Sequence, residues 1–85
     1  MIDVRDPVEQ QVSVIAGARS IPLEQILQRS SELDPDQEYV FFCRTGTRSA
    51  RVVRLLSGAG FKHAKNLVGG INAWAEQVEP SLQRY

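Results

Sequence analysis

The sequence holds one cysteine, one histidine, one tryptophan and one methionine among 85 residues. A single cysteine forms no internal disulfide, so the chain suits a reducing compartment and is expected to be cytoplasmic. One cysteine and one histidine, Cys43 and His63, cannot supply the four ligands of a structural zinc site, and no metal or cofactor is expected. Charge of one sign is not in excess, because ten basic residues balance ten acidic ones. No basic run is interleaved with aromatics, so nucleic acid is not an expected partner. Long hydrophobic runs are missing too, the longest falling far short of the roughly 20 residues a spanning helix needs. The N-terminus, Met-Ile-Asp-Val-Arg-Asp-Pro, lacks the basic and apolar regions of a signal peptide, and no membrane role is expected. Repeats, linkers and low-complexity stretches are absent. The length fits one domain spanning residues 1–85, above the size that usually needs disulfides or metals.

What is present is an alternation of strand and helix signals. Ile2–Arg5 reads as a short strand. Asp6, Pro7 and Glu9 then mark a helix start, with Asp6 as N-cap, Pro7 at the first helical position and Glu9 reaching back as in a capping box. Residues 15–18 read as a turn leading to Arg19-Ser20-Ile21. Pro22 is expected to open a second helix with Leu23, Ile26, Leu27 and Leu33 on its inner side. Asp34-Pro35-Asp36 is a turn by composition, and Tyr39–Phe42 has strand composition. A helix from Thr47 to Ala59 follows, expected to bury Ala50, Val53 and Leu56, flanked by Val52 and Leu55, with Gly58 and Gly60 as C-cap candidates. A last strand is expected over 64–68. Gly69-Gly70 then turns into a short helix that packs Ile71 and Trp74 inward. Strand–helix alternation without hairpin signals predicts an α/β fold, a small parallel sheet with helices on both faces. Reactive sites of such sheets lie beyond the carboxyl ends of the strands.

Cys43 falls at such an end, opening the stretch Cys43-Arg44-Thr45-Gly46-Thr47-Arg48-Ser49. Unsatisfied N–H groups of a tight loop and helix N-terminus, together with the charges of Arg44 and Arg48, would favour thiolate over thiol. The alternative is a buried strand cysteine acting as a small hydrophobe; a glycine and two arginines within five residues weigh against it. Counting from Cys43 through Arg48 gives six residues, one fewer than the Cys-x-x-x-x-x-Arg loop of a cysteine phosphatase. The tighter cradle suits one extra sulfur on the cysteine better than a phosphate with four oxygens. Gly46 supplies the unusual backbone angles that a ring of inward N–H groups requires.

Four ordered blocks resemble a rhodanese domain: Asp3-Val-Arg5, Ile15-Ala-Gly-Ala18 with Ile21-Pro22, the Cys43–Ser49 loop, and Leu67-Val-Gly-Gly-Ile-Asn-Ala-Trp74. The resemblance covers nearly the whole chain and implies a sulfurtransferase. Cys43 would take sulfane sulfur as a persulfide from a donor, thiosulfate or a protein persulfide, and pass it to a thiophilic acceptor. Arg44 is the candidate for attracting an anionic donor, against the reading of a solvated loop arginine. Arg48 is expected to brace the loop by pairing with Asp3, and Thr45 and Thr47 to lend amides and hydroxyls. Arg5 is expected to form a structural ion pair. Arg51 and Arg54 read as a solvated helix side or a docking face for an acidic partner, His63 as non-catalytic and Trp74 as core.

Two departures stand out. Rhodanese domains usually carry a strand and helix before the Asp-Val-Arg block. Because this sequence starts almost at Asp3, either that edge is expected to be lacking or the sequence is a piece of something longer. In addition, Ser13-Val14-Ile15-Ala16 stands where the family often has a histidine. The tail from Trp74 to Tyr85 resembles rhodanese domains fused to the adenylyltransferases of molybdopterin and thiamine biosynthesis. That resemblance implies a sulfur-carrier protein with a Gly-Gly tail as acceptor. Two other readings remain open: a docking module that keeps the fold without catalysis, and a cysteine phosphatase or arsenate reductase, which the short loop disfavours.

Overall fold

The computed structural model describes residues 1–82; residues 83–85, the last three of the tail segment, lie outside the described residues. The strands are β1 (Ile2–Asp3), β2 (Arg19–Ser20), β3 (Tyr39–Phe42) and β4 (Ala64–Asn66). They form one sheet in the order β2-β1-β3-β4, and every neighbouring pair is parallel. The helices are α1 (Pro7–Gln10), α2 (Thr47–Gly58) and α3 (Gly70–Gln77).

Alternation along the strands divides the interior into two cores. Ile2, Val4, Phe41 and Cys43 point to one face, where Val52 and Leu56 of α2 meet them together with Ile21, Ile26, Leu33 and Phe61. Phe42 points to the other face and packs with Ile15 and Ile71, flanked by Leu67 and Trp74. Helical layers on both faces and an all-parallel sheet bear out the expected fold class.

The local expectations met a mixed outcome. Glu9 does reach back, accepting the Asp6 N–H at 3.2 Å. The helix expected after Pro22 is replaced by two 3-10 turns, Leu23–Gln25 and Ser30–Glu32. Ile26 and Leu33 are buried as expected, but Leu27 is exposed. The crossover from β2 to β3 is held by tight turns that bury those two side chains singly, so no continuous apolar face is needed. The inner face of α2 is rotated from the expected one: Ser49, Val52 and Leu56 are buried, whereas Leu55 is exposed. β4 ends at Asn66, two residues before the expected end, and Val68 is exposed. Gly69 and Gly70 then redirect the chain into α3.

Candidate active site

Cys43 follows β3, and α3 determines how the loop after it is turned. The Ile71 N–H donates to the Cys43 carbonyl at 2.8 Å, and the Asn72 N–H to the Arg44 carbonyl at 3.1 Å. A peptide's C=O and N–H point in opposite directions. Anchoring the Arg44 carbonyl on α3 therefore turns the Thr45 N–H toward the sulfur. Gly70 permits this approach, since a Cβ there would lie 2.4 Å from the Cys43 carbonyl oxygen and 2.5 Å from that of Arg44. Gly46, at φ +105°, takes a left-handed turn that brings its own N–H to within 3.0 Å of Cys43 Sγ.

The sulfur is thus enclosed by donors. The Gly46 amide bonds to it, the amides of Thr45 and Ser49 add to the stabilisation of its anion, and the Ser49 hydroxyl lies 3.5 Å away. Cys43 itself is 1% exposed. Burial pushes its thiol up, but the Ser49 hydroxyl and the amides of Ser49, Gly46 and Thr45 together outweigh burial and hold it below the usual thiol value. Hydrogen-bond donors carry this lowering, whereas the sequence also invites the charges of Arg44 and Arg48.

The arginines have other settings. Arg44 is exposed beside the sulfur-bearing residue. Arg48 does brace the loop, though through Glu9 and not through Asp3: its Nη1 and Nη2 reach Glu9 Oε1 and Oε2 at 2.5 and 2.8 Å. Asp3 is taken by Arg5, whose Nε and Nη2 donate to the carboxylate at 3.0 and 2.7 Å. Arg5 is fully buried, spends another Nη2 bond on the Ser13 carbonyl at 2.7 Å, and stacks over the Phe42 ring at 5.9 Å. The strand alternation explains the exchange of partners. Asp3 and Arg5 share a strand face two residues apart, whereas Arg48 begins α2 next to α1. Thr45 lends its amide, but both threonine side chains are exposed and neither hydroxyl bonds the sulfur. His63 lies exposed at the amino end of β4, the opposite end of the sheet from Cys43. Trp74 packs in the second core, with its Nε1 donating to Glu79 at 3.0 Å.

Sequence reasoning missed four contributors. Ser49 was within the motif but reads as an ordinary first-turn serine. Glu9 reads as a capping-box residue with no sign of its pairing with Arg48, and Gly70 is signalled only by its place in a glycine pair. Asn66 gives no sequence signal; its amide reaches the Gly46 carbonyl and the Ser49 hydroxyl only after the fold forms.

The site is thus a lone cysteine beyond the carboxyl end of a strand in a parallel α/β domain, with the Gly46 amide on its sulfur. The family model for the rhodanese-like domain matches residues 1–77, and the chain belongs to that family. It is 42% identical over 87 residues to "Probable adenylyltransferase/sulfurtransferase MoeZ" of Mycobacterium tuberculosis, a match covering the whole chain and 22% of that protein. With a protein named "Sulfurtransferase" from Allochromatium vinosum it shares 36% identity over 80 residues, covering 94% of this chain and 75% of the relative. The crystal structure of a rhodanese-related protein from Thermoplasma volcanium superposes with a TM-score of 0.84 at 34% identity, covering 93% of this chain and 78% of that one. The chain spans about a fifth of the length of its MoeZ relative. Among the described residues, no helix is long and apolar enough to cross a membrane.

Proposed function

We propose that this chain is a sulfurtransferase that carries sulfane sulfur on Cys43. The observation that supports it is the amide ring, in particular the Gly46 N–H at 3.0 Å from Sγ, which stabilises an anion at that sulfur. The Cys43 thiolate attacks the terminal sulfur of thiosulfate; the S–S bond of the donor breaks, its electron pair leaves with sulfite, and Cys43 holds a persulfide anion. A thiophilic acceptor, a thiolate or cyanide, then bonds the outer sulfur, and the pair returns to Cys43 as thiolate. Splitting one transfer in two is covalent catalysis, and amides that need no reorganisation serve thiolate and persulfide alike. Arg44, exposed beside Cys43, attracts the anionic donor. Arg48 and the Asp3–Arg5 pair act as supports.

The relatives that join adenylyltransferase and sulfurtransferase in their names support a sulfur-carrier protein with a Gly-Gly tail as the physiological acceptor. Mass spectrometry after incubation with thiosulfate is expected to show one added sulfur atom on Cys43, removable by dithiothreitol. Absence of that adduct with thiosulfate and with protein persulfides would overturn the assignment. A docking module would instead retain partner affinity in Cys43→Ser and show no sulfur transfer in either form.

A further inference from the structure

Ser49 is fully buried and carries one hydroxyl hydrogen, yet two acceptors compete for it. Cys43 Sγ lies 3.5 Å from its Oγ, and Asn66 Oδ1 lies 2.5 Å away. The orientation of the Asn66 amide is set independently, because its Nδ2 donates to the Gly46 carbonyl at 3.2 Å and leaves Oδ1 facing Ser49. A hydroxyl with one hydrogen cannot serve both acceptors at once.

From this geometry we infer that Asn66 is a positioning residue that governs the acidity of Cys43 by competing with its sulfur for the Ser49 hydrogen. In the thiol state the S–H donates to Ser49 Oγ, and the Ser49 hydrogen goes to Asn66. When the proton leaves sulfur, the Ser49 hydroxyl rotates to donate to the thiolate, and Asn66 Oδ1 loses its donor. Asn66 therefore stabilises the protonated sulfur and opposes the amides that favour the anion. Because the same side chain also donates to the carbonyl of Gly46, the residue whose own N–H bonds the sulfur, it couples the hydroxyl to the loop.

Charged groups on the surrounding elements do not supply this control. Asp3 and Arg5 beside β1 are paired with each other, and Glu9 of α1 pairs with Arg48 of α2. Arg44 and Arg51 are exposed, Lys65 on β4 is exposed and bonds Glu38, and α3 has no charged residue in its first turn.

The inference rests on Cys43 as the reacting sulfur, but its test reads alkylation, so its failure leaves sulfur transfer standing. Rates of iodoacetamide alkylation are measured against pH for the wild type, Ser49→Ala, Asn66→Leu, Asn66→Ala and the Ser49→Ala/Asn66→Leu pair. Below the thiol midpoint, loss of the Asn66 acceptor is expected to speed alkylation about fivefold, the scale of one neutral hydrogen bond. Ser49→Ala is expected to slow it, and Asn66→Leu added to Ser49→Ala is expected to change nothing further. A purely structural Asn66 would loosen the cradle on replacement and slow the reaction. Slower or unchanged alkylation in the folded Asn66 variants, or equal acceleration without Ser49, overturns the inference. If neither Asn66 variant folds, the wild type decides: the Asn66 side-chain amide NMR signals must shift with the Cys43 titration. That shift must collapse in Ser49→Ala; a shift that is absent or survives there overturns the inference as well.

Discussion

The two faces of the sheet are built on different principles. On the α2 face the strands present Ile2, Val4, Phe41 and Cys43 to Val52 and Leu56, and the packing is mostly apolar, with Ser49 the buried polar side chain of α2. On the α3 face the buried apolar set is Ile15, Phe42 and Ile71, and the Asp3–Arg5 ion pair fills the neighbouring space beneath the Phe42 ring. The first arrangement buries apolar area and supplies stability in proportion. The second fixes directions, since Arg5 reaches the Ser13 carbonyl and the α3 amides hold the Cys43 and Arg44 carbonyls. Stability and positioning are thus divided between the faces, and Cys43 stands where they meet.

The comparison breaks most sharply if each face is truncated in turn. Phe41→Ala is expected to cost about 3–5 kcal/mol, a large part of the roughly 5–10 kcal/mol a domain of this size commands. Denaturant unfolding should register it as a lower midpoint with little change in slope. Arg5→Met, on the other face, leaves Asp3 buried without its partner and is expected to cost about 3 kcal/mol. Adding Asp3→Leu to Arg5→Met should recover much of that loss. Recovery is the sign that the pair contributes geometry rather than net stability; a double variant as unstable as the single one would mean the two faces are not so different.

Gly70→Ala sharpens the same contrast with a smaller effect on folding, about 2–3 kcal/mol from a left-handed alanine and a crowded loop. Its larger consequence is local. The Cys43 and Arg44 carbonyls must move, the Thr45 amide turns away from the sulfur, and alkylation of Cys43 should slow more than the Tm change would imply. Glu9→Gln is milder still. It weakens a partly exposed pair with Arg48, worth about 1 kcal/mol or less, and persulfide formation should fall less than in Gly70→Ala.

How far these roles are legible in sequence follows the same division. Tyr39–Phe42, the α2 segment and the Cys43–Ser49 motif are readable because each is contiguous, with a period or spacing that local chemistry dictates. The parallel order follows from alternation, and the placement of Cys43 beyond a strand end follows from the order. Partner choice is not contiguous. Arg48 reaches Glu9 across 39 residues, and Asn66 meets Ser49 across 17; neither pairing leaves a mark on the residues between. Pro22–Leu33 misleads for a different reason, since apolar residues at helical spacing also suit two tight turns that each bury one side chain. The buried Asp3–Arg5 pair was legible as ion-pair forming in Arg5, while the competing assignment of Asp3 to Arg48 ignored which strand face each occupies.

The smallest effect lies at the junction of the two faces, in the pH dependence of folding. The donors around Cys43 hold its folded thiol below the usual value of about 8.5, burial notwithstanding. A group with a depressed folded value contributes stability above its unfolded value and loses it as pH falls through the folded one. Cys43 is therefore expected to stabilise the fold increasingly as pH rises from its folded midpoint toward about 8.5, and then to level off. Unfolding free energies of wild type and Cys43→Ser, compared across that range, should diverge with rising pH in favour of the wild type. In Gly70→Ala, where the Thr45 amide no longer faces the sulfur, the same divergence should shrink. A divergence of equal size there would show that the amide ring does not depend on α3, and that the loop holds its own shape without that face.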